Sequence, residues 1–402
     1  MRLHRNLVFA VVDCLQLIFN ENKYADKQLH KTLKLDSRWG SRDRSFIAET
    51  VYDVVRWKRL YAEIAEVNAP YSRDNLFRIF AVWATLKGIR LPDWPQFAGT
   101  PTRRIKGRFD ELSRIRKFKA SIPDWLDQLG LAELGDLWDA EINAQNDVAP
   151  VVLRANRLLT DRDKLIKNLA QENIYAQPVK AVKDGVKLVE RADTFKTQTF
   201  KKGWFEVQDT SSQMVAELLD PQPGERVIDT CAGAGGKTLH IASLMANKGQ
   251  IIALDIYHNK LKELKRRARR AKAFNIETRP IDSTKVIKKL RHSADRLLID
   301  APCSGLGVLR RNPDAKWKLK PEFINEIKQT QQKILQDYST LVKKGGILIY
   351  ATCSILPSEN RQQVDAFLNS EAGKQFKLIS DKSILTHKTD QDGFYMANLQ
   401  LI

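Results

Sequence analysis

The sequence predicts an α/β protein whose C-terminal half forms a doubly wound, mostly parallel sheet, preceded by an all-helical domain and a small α+β unit. Three observations support this prediction. Apolar residues recur at helical spacing up to residue 125, short β-rich runs follow, and strand patterns alternate with helix patterns from residue 207 onward. We therefore predict three domains, at residues 1–125, 126–206 and 207–402.

The first predicted domain is a helix bundle. Three stretches place apolar side chains three or four positions apart, and strand-like alternation is scarce; typical members are Leu7, Val11, Ile47, Val51, Leu76 and Ile79. Basic residues lie between these stripes, so contact with RNA and a solvated helical surface are both open interpretations. The turn-rich stretch 91–101 and the very basic stretch 102–119 are predicted to be a linker or an exposed loop.

Charge and cysteine usage limit the functions that the chain can have. The chain has 67 Lys and Arg against 48 Asp and Glu, a net charge of +19. This excess favours binding of a polyanion such as RNA or DNA over the alternative of a basic protein with no such partner. No apolar run reaches the ~20 residues of a membrane span, and the start has no signal-peptide pattern. The scattered cysteines show no CxxC spacing, so we expect reduced thiols, a cytoplasmic location, no membrane association and no metal site.

The middle unit is predicted to be α+β. A strand at 151–154 and a helix at 161–172 precede short β-rich runs near Val179, at 186–189 and at 204–207. Nothing in this unit suggests catalysis.

Five strands are predicted for the C-terminal sheet, at 227–229, 251–255, 276–281, 296–300 and 347–351. Ligands of such sheets lie beyond the carboxyl ends of the strands. Four acids are expected to close strands at that edge: Asp229, Asp255, Asp282 and Asp300. A single strand-end acid is common, but four at one edge favour a nucleoside site.

A loop rich in small residues follows the first strand of this sheet. It has the size and position of a cofactor loop that leads into a helix N-terminus; its residues are Cys231, Ala232, Gly233, Ala234, Gly235, Gly236 and Lys237. A Walker A loop would need glycine where the chain has Cys231, and a GxGxxG motif starting at Gly233 would need glycine at Thr238. The loop is therefore predicted to bind a nucleoside cofactor of another kind.

Two cysteines follow neighbouring predicted strands. Cys303 lies in Asp300-Ala301-Pro302-Cys303-Ser304-Gly305, and Cys353 lies in Ala351-Thr352-Cys353-Ser354. Both thiols are expected to reach one crevice, where a thiolate could act as a nucleophile. Packing of buried thiols is the plain alternative, and a disulfide is a further one that a cytosolic setting disfavours. Cys231 is interpreted as a packing or backbone contact.

These motifs resemble those of a known family, the RNA cytosine-5 methyltransferases of the Fmu/Sun (RsmB-like) type, which use S-adenosylmethionine. The resemblance covers the third domain, in the stretches 207–213, 229–238, 300–307, 351–354 and 392–395. One departure is visible, since the family loop often has Ala-Pro where this chain has Gly233-Ala234. The helical start also resembles the antitermination-factor-type RNA-binding domain of some members, and the middle segment stands where the family has a small RNA-recognition-like unit.

The resemblance implies methyl transfer to carbon 5 of cytosine in RNA, with ribosomal RNA favoured and tRNA possible. It assigns attack on carbon 6 to Cys353 and release of the covalent intermediate to Cys303. It implies that residues 231–237 line the methionine moiety, that Asp255 holds the ribose and that Asp282 holds the adenine, while Asp300 holds the base edge or the cofactor. The implied enzyme is a monomer that needs no metal. A non-catalytic RNA-binding protein and a nucleotide-dependent oxidoreductase or ATPase stay open as alternatives.

Overall fold

The computed structural model describes residues 2–402 and divides them into two compact units. One unit comprises the chain up to Asp147 together with Leu309–Pro321. The other comprises Val148–Val308 together with Glu322–Ile402. A segment from the middle of the C-terminal half therefore belongs to the N-terminal unit.

The helices are numbered in chain order. Their bounds are α1 Arg5–Asn20, α2 Ala25–Thr32, α3 Ser41–Arg56, α4 Lys58–Ile64, α5 Arg73–Leu86, α6 Thr102–Leu112, α7 Arg116–Lys119, α8 Asp124–Leu134, α9 Leu137–Ala144, α10 Arg162–Gln171, α11 Gln198–Lys201, α12 Thr210–Leu219, α13 Gly236–Leu244, α14 His258–Ala271, α15 Thr284–Lys288, α16 Ala315–Lys318, α17 Pro321–Ser339, α18 Arg361–Leu368 and α19 Thr386–Thr389. Among residues 2–402, no helix is both long and apolar enough to cross a membrane.

The strands are numbered in the same way. Their bounds are β1 Val152–Ala155, β2 Ala176–Pro178, β3 Gly185–Leu188, β4 Phe205–Val207, β5 Arg226–Asp229, β6 Gln250–Asp255, β7 Ile276–Pro280, β8 Ala294–Asp300, β9 Val342–Thr352, β10 Phe376–Ile384 and β11 Phe394–Leu401. Short 3₁₀ turns occur at Pro95–Phe97, Thr194–Lys196, Leu306–Val308, Pro357–Glu359 and Gly373–Gln375.

The N-terminal unit is a helix bundle, as its apolar stripes predicted. Helix α1 packs against α3 and α5, and the buried faces of these helices form one core. The segment that enters from the C-terminal half joins this unit through buried polar contacts. The indole of Trp317 donates to the carbonyl of Val55 at 2.8 Å, and the ammonium of the buried Lys316 donates to the side-chain oxygen of Asn146 at 3.0 Å.

The prediction of a linker or exposed loop at 102–119 was wrong, because this stretch forms α6 and α7. Ile105 and Leu112 are buried, and α6 packs against α4 and α5. The guanidinium of Arg104 also lies 2.6 Å from the carboxylate of Glu66. The two apolar positions stand two helical turns apart among many cations, so the sequence pattern hid the helix.

The C-terminal unit contains a small antiparallel sheet and a large sheet. The small sheet has the order β2-β3-β1-β4, and α10 lies against it over a core that includes Leu153, Leu165, Leu169, Val186 and Phe205. The large sheet has the order β10-β11-β9-β8-β5-β6-β7. Its five strands β5 to β9 are parallel, which confirms the predicted doubly wound fold.

The strand order of the large sheet reverses between β5 and β8. The chain runs outward through β6 and β7, then returns to place β8 and β9 on the other side of β5. Such a switch point opens a crevice at the carboxyl ends of the strands, where ligands of this fold bind. The strands β10 and β11, which the sequence analysis did not predict, extend the sheet beyond β9 in antiparallel orientation.

Candidate active site

The loop between β5 and α13 has a conformation that glycine makes possible. Gly233 has φ +54° and Gly235 has φ +87°, both in the left-handed region that glycine favours. A Cβ atom at Gly235 would lie 2.5 Å from Cγ of Leu264 on α14. Gly235 is therefore required both for the turn and for the close packing of α14 behind it.

Main-chain hydrogen bonds hold this loop against the next strand. The N–H of Ala232 donates to the carbonyl of Leu254 at 2.9 Å. The N–H of Gly233 donates to one carboxylate oxygen of Asp255 at 2.8 Å, and the N–H of Tyr257 donates to the other at 2.8 Å. The strand-end acid is thus fixed in place at the end of β6 and is buried.

The opposite side of the loop is open. A Cβ atom added at Gly233 or Gly236 would meet no other atom within 4 Å. Gly236 is also the first residue of α13, whose free N–H groups favour polar or anionic atoms. An open glycine edge next to the fixed carboxylate of Asp255 fits a nucleoside cofactor.

Burial sets the protonation of Asp229, at the end of β5, and of Cys231, in the loop itself. Burial raises the pKa of Asp229 to about 7, although the hydroxyl of Thr238 donates to its carboxylate at 2.7 Å. Burial also raises the pKa of the Cys231 thiol, with the charge of Asp229 adding to the effect. Cys231 therefore stays a neutral thiol, which agrees with its interpretation as a packing residue.

Lys237 joins the cofactor loop to the end of β8. Its ammonium lies 2.7 Å from the carboxylate of Asp300 and 5.1 Å from the centre of the Phe394 ring. Burial opposes the charge on Lys237, but the attraction of Asp300 and their hydrogen bond outweigh it and raise its pKa.

The remaining acid, Asp282, is placed differently from the other three. Strand β7 ends at Pro280, so Asp282 lies beyond the strand and its side chain is 63% exposed. Its carboxylate lies 2.9 Å from Nε2 of His258 at the start of α14. Asp282 is therefore an exposed acid at the rim of the edge, and the expectation that it closes a strand was wrong.

The two cysteine loops meet, as the sequence predicted. Cys303 follows β8, Cys353 follows the neighbouring strand β9, and their sulfur atoms lie 3.3 Å apart. Backbone contacts tie the loops together, since the N–H of Gly307 donates to the carbonyl of Cys353 at 2.9 Å and the N–H of Gly393 donates to the carbonyl of Gly307 at 2.7 Å. A Cβ atom at Gly307 would lie 2.1 Å from the Gly393 oxygen, so only glycine fits there.

The Cys303 thiol is held in its protonated form. The hydrogen bond with Cys353, together with burial, raises the pKa of Cys303 well above its ordinary value. Cys303 therefore keeps its proton, and its sulfur is in contact with that of Cys353 at 3.3 Å. A thiol that keeps its proton is a poor nucleophile, so Cys303 is the less suited of the two cysteines to attack a carbon atom.

Sequence reasoning missed several residues that support the site. Arg154 in β1 is buried, its pKa is lowered by burial to about 10, and its guanidinium donates to the carbonyl of Gly236 at 2.7 Å. Glu359 is buried beneath the cysteine loops, where it receives hydrogen bonds from Ser304 and Ser354. The serine beside each cysteine was the available signal, but no spacing rule connects it with Glu359.

The fold and the site together define a class of Rossmann-like α/β proteins with a nucleoside-cofactor loop and a thiol pair at one edge of the sheet. Two parts of the chain match known protein families. Residues 216–400 match the family described as 16S rRNA methyltransferase RsmB/F, and residues 122–194 match the ferredoxin-like domain of the RsmF/B-like methyltransferases. Over these residues the chain matches the RsmB/F methyltransferase family, which confirms the resemblance that its motifs predicted.

Curated relatives carry a matching name. The chain is 37% identical over 285 residues to the ribosomal RNA small subunit methyltransferase B of Yersinia enterocolitica, a match that covers 69% of this chain and 66% of the relative. It is 37% identical over 271 residues to the protein of the same name from Yersinia pestis, covering 65% of this chain and 62% of the relative. The chain thus spans less than two thirds of the length of these relatives.

Solved structures share the fold. The crystal structure of PH0851 has a TM-score of 0.84 at 25% identity and covers 99% of both chains. A methyltransferase homologue from Pyrococcus horikoshii has a TM-score of 0.64 at 25% identity, covering 71% of this chain and 98% of that one. NSun6 from the same organism, solved with SFG, has a TM-score of 0.64 at 20% identity and covers 69% of this chain and 98% of that one.

Proposed function

We propose that this chain transfers a methyl group from S-adenosylmethionine to carbon 5 of a cytosine in the RNA of the small ribosomal subunit. The observation that supports this most is the thiol pair, with Cys303 and Cys353 3.3 Å apart beside the cofactor loop. The family description names 16S rRNA, and the curated relatives are named for the small subunit. A net charge of +19 suits a polyanionic substrate.

The cofactor is proposed to bind along the glycine edge at the end of β5. Residues Cys231 to Lys237 would surround its methionine part, Asp255 would accept hydrogen bonds from the ribose hydroxyls, and Asp282 would lie at the adenine end. When bound, the cofactor supplies an electrophilic methyl group on a sulfonium. Asp300 would hold the edge of the base or the cofactor while Lys237 neutralises its charge at 2.7 Å.

Cys353 is the proposed nucleophile. Its thiolate adds to carbon 6 of cytosine, and the electron pair of the 5,6 double bond makes carbon 5 nucleophilic. Carbon 5 accepts the methyl group, which leaves the cofactor as a neutral thioether. The proton on carbon 5 then passes to water, and the electron pair of that carbon–hydrogen bond forms the 5,6 double bond again. The bond between carbon 6 and sulfur breaks in the last step, which restores the aromatic ring and the Cys353 thiolate.

Cys303 is proposed to act in that last step. It retains its proton because its pKa is raised by the hydrogen bond with Cys353 and by burial. A neutral thiol 3.3 Å from the departing sulfur is placed to assist its release without competing for carbon 6. The retained proton therefore suits Cys303 to release, which leaves attack on the base to Cys353.

The remaining parts of the chain are proposed to bring RNA to this edge. Residues 1–125 form the proposed antitermination-factor-like RNA-binding domain, 126–206 the RNA-recognition-like unit and 207–402 the catalytic domain. The enzyme is proposed to act in the cytoplasm as a monomer, with RNA as its partner and without a metal.

Labelled methyl transfer tests the proposal. The purified chain is incubated with radiolabelled S-adenosylmethionine and small-subunit RNA or tRNA, and bisulfite sequencing locates any 5-methylcytosine. We expect label in small-subunit RNA, and calorimetry should show binding of S-adenosylmethionine but not of NADH or ATP. Binding of RNA without cofactor binding would instead favour a non-catalytic RNA-binding protein.

A further inference from the structure

A fully buried acid lies directly beneath the two cysteine loops. Glu359 ends the short 3₁₀ turn Pro357–Glu359 that follows the Cys353 loop, and its exposed fraction is 0%. Taking a carboxylate out of water is costly unless hydrogen-bond donors replace the lost solvent. The surroundings of Glu359 supply those donors.

Both carboxylate oxygens of Glu359 accept two hydrogen bonds. One oxygen accepts from the N–H of Ser304 at 2.8 Å and from the side-chain amide of Gln331 at 3.0 Å. The other accepts from the hydroxyl of Ser304 at 2.5 Å and from the hydroxyl of Ser354 at 2.6 Å. The donors come from three separate parts of the C-terminal unit, so this carboxylate connects them.

This connection matters because each of the two serines lies next to a cysteine. Ser304 directly follows Cys303, and Ser354 directly follows Cys353. The two hydroxyl oxygens lie 3.2 Å apart on a single carboxylate oxygen, one residue away from sulfur atoms that lie 3.3 Å apart. The separation of the loops at the serines is therefore set by one shared acceptor.

Further bonds hold Glu359 itself in place. The phenol of Tyr350 in β9 donates to the carbonyl of Glu359 at 2.8 Å. The amide of Gln331, on α17, donates to the carbonyl of Pro302 as well, at 3.0 Å. The side-chain amide of Asn360 donates to the carbonyl of Ser354 at 3.0 Å. The backbone of each cysteine loop is thus bound to the same buried network.

We propose that Glu359 is a positioning residue that sets the separation of Cys303 and Cys353 by holding Ser304 and Ser354 on one carboxylate. The part of this proposal that concerns turnover rests on the proposed function. Glu359 touches neither the base nor the cofactor and acts only through the two loops. A thiol pair that must form and then release one carbon–sulfur bond depends on such fixed geometry, because misplacement of about 1 Å can cost about 100-fold in rate.

Three substitutions separate geometry from charge. Glu359→Ala removes the shared acceptor, and Glu359→Asp withdraws it by the length of one carbon–carbon bond, about 1.5 Å. Glu359→Gln keeps the length, because its oxygen can accept from Ser304 N–H and Gln331 while its amide donates to the two hydroxyls. Asp127→Ala is the matched control, since Asp127 also receives three side-chain hydrogen bonds, from Arg116 and Trp138, in the N-terminal unit.

The first measurement needs neither RNA nor cofactor. Each purified variant is treated with diamide, and the rate of Cys303–Cys353 disulfide formation is followed by mass spectrometry of non-reduced peptides. We expect the unmodified chain, Glu359→Gln and Asp127→Ala to oxidise at similar rates. Glu359→Asp and Glu359→Ala should oxidise at least about tenfold more slowly, because the sulfur atoms are no longer held together.

The second measurement splits kcat from KM for methyl transfer to RNA. Glu359→Asp should lower kcat by about 100-fold and leave the KM values for RNA and S-adenosylmethionine within about twofold, while Glu359→Gln stays within about tenfold of the unmodified chain. Unchanged disulfide formation in both Glu359→Asp and Glu359→Ala would overturn the positioning role. If Glu359→Ala fails to fold, the rate of disulfide formation in Glu359→Asp alone tests the positioning role. If the unmodified chain methylates no RNA, the proposed function fails, whereas the diamide rates still decide the role of Glu359.

Discussion

The two halves of the site are built in different ways, although both lie at the carboxyl edge of the same sheet. The cofactor loop is held by main-chain groups, through Ala232 N–H on Leu254 and Gly233 N–H on Asp255. The cysteine loops are held by side chains as well as by backbone contacts, with Glu359 accepting from both serines. A loop held by its backbone depends on its glycines, whereas loops held by side chains depend on residues outside the motif.

Gly235 should give the largest effect on the cofactor half. Gly235→Ala places a Cβ 2.5 Å from Leu264 at a backbone φ of +87°, so strain and overpacking should together cost about 2–4 kcal/mol of stability. Gly233→Ala is the matched control, because φ is +54° but no atom lies within 4 Å, and about 1–2 kcal/mol is expected. Urea denaturation of both variants checks the difference; equal losses would mean that packing on α14 is unimportant.

Asp255 should matter for the cofactor but not for RNA. Asp255→Ala removes the acid expected to accept from ribose, and a hydrogen bond to a charged group contributes about 1.5–3 kcal/mol. We expect calorimetry to show weaker binding of S-adenosylmethionine by that amount, with RNA affinity unchanged. Asp282→Ala, which removes an exposed partner of His258, should weaken cofactor binding by less than about 1 kcal/mol. Unchanged cofactor affinity in Asp255→Ala would remove Asp255 from the site.

The smallest effects are expected from single cations outside both halves. Helix α14 exposes Lys260, Lys262, Lys265 and Arg269, and α6 carries further basic residues. Each phosphate that the protein no longer neutralises should reduce the slope of log affinity against log salt by about 0.9 for duplex or 0.7 for single-stranded RNA. Lys262→Ala and Lys265→Ala, tested by filter binding across salt concentrations, should therefore flatten the slope slightly and leave cofactor binding unchanged. An overall slope near zero would show that these charges are only solvated.

The sequence predicted the strands and the loop of the cofactor half, but not the exposed position of Asp282 or the contact of Arg154, and it predicted the cysteine half in part. Buried parallel strands read as short apolar runs, so β5 to β9 and the loops after them were recognisable. The edge strand β10 is mostly exposed and carries Lys377 and Lys382, so it shows no apolar alternation. Glu359 could not be predicted, because its partners Ser304 and Gln331 are 55 and 28 residues away in the chain.

The raised pKa of Cys303 supports the proposed division of labour, in which Cys353 forms the bond to RNA and Cys303 helps to break it. The direct test is denaturing gel electrophoresis of Cys303→Ala, Cys353→Ala and the double variant after incubation with RNA and S-adenosylmethionine. Cys303→Ala should accumulate a protein–RNA adduct that survives denaturation, whereas Cys353→Ala and the double variant should form none. An adduct that persists in Cys353→Ala and is absent from Cys303→Ala would contradict the assignment, and no adduct in any variant would leave the thiols as packing residues.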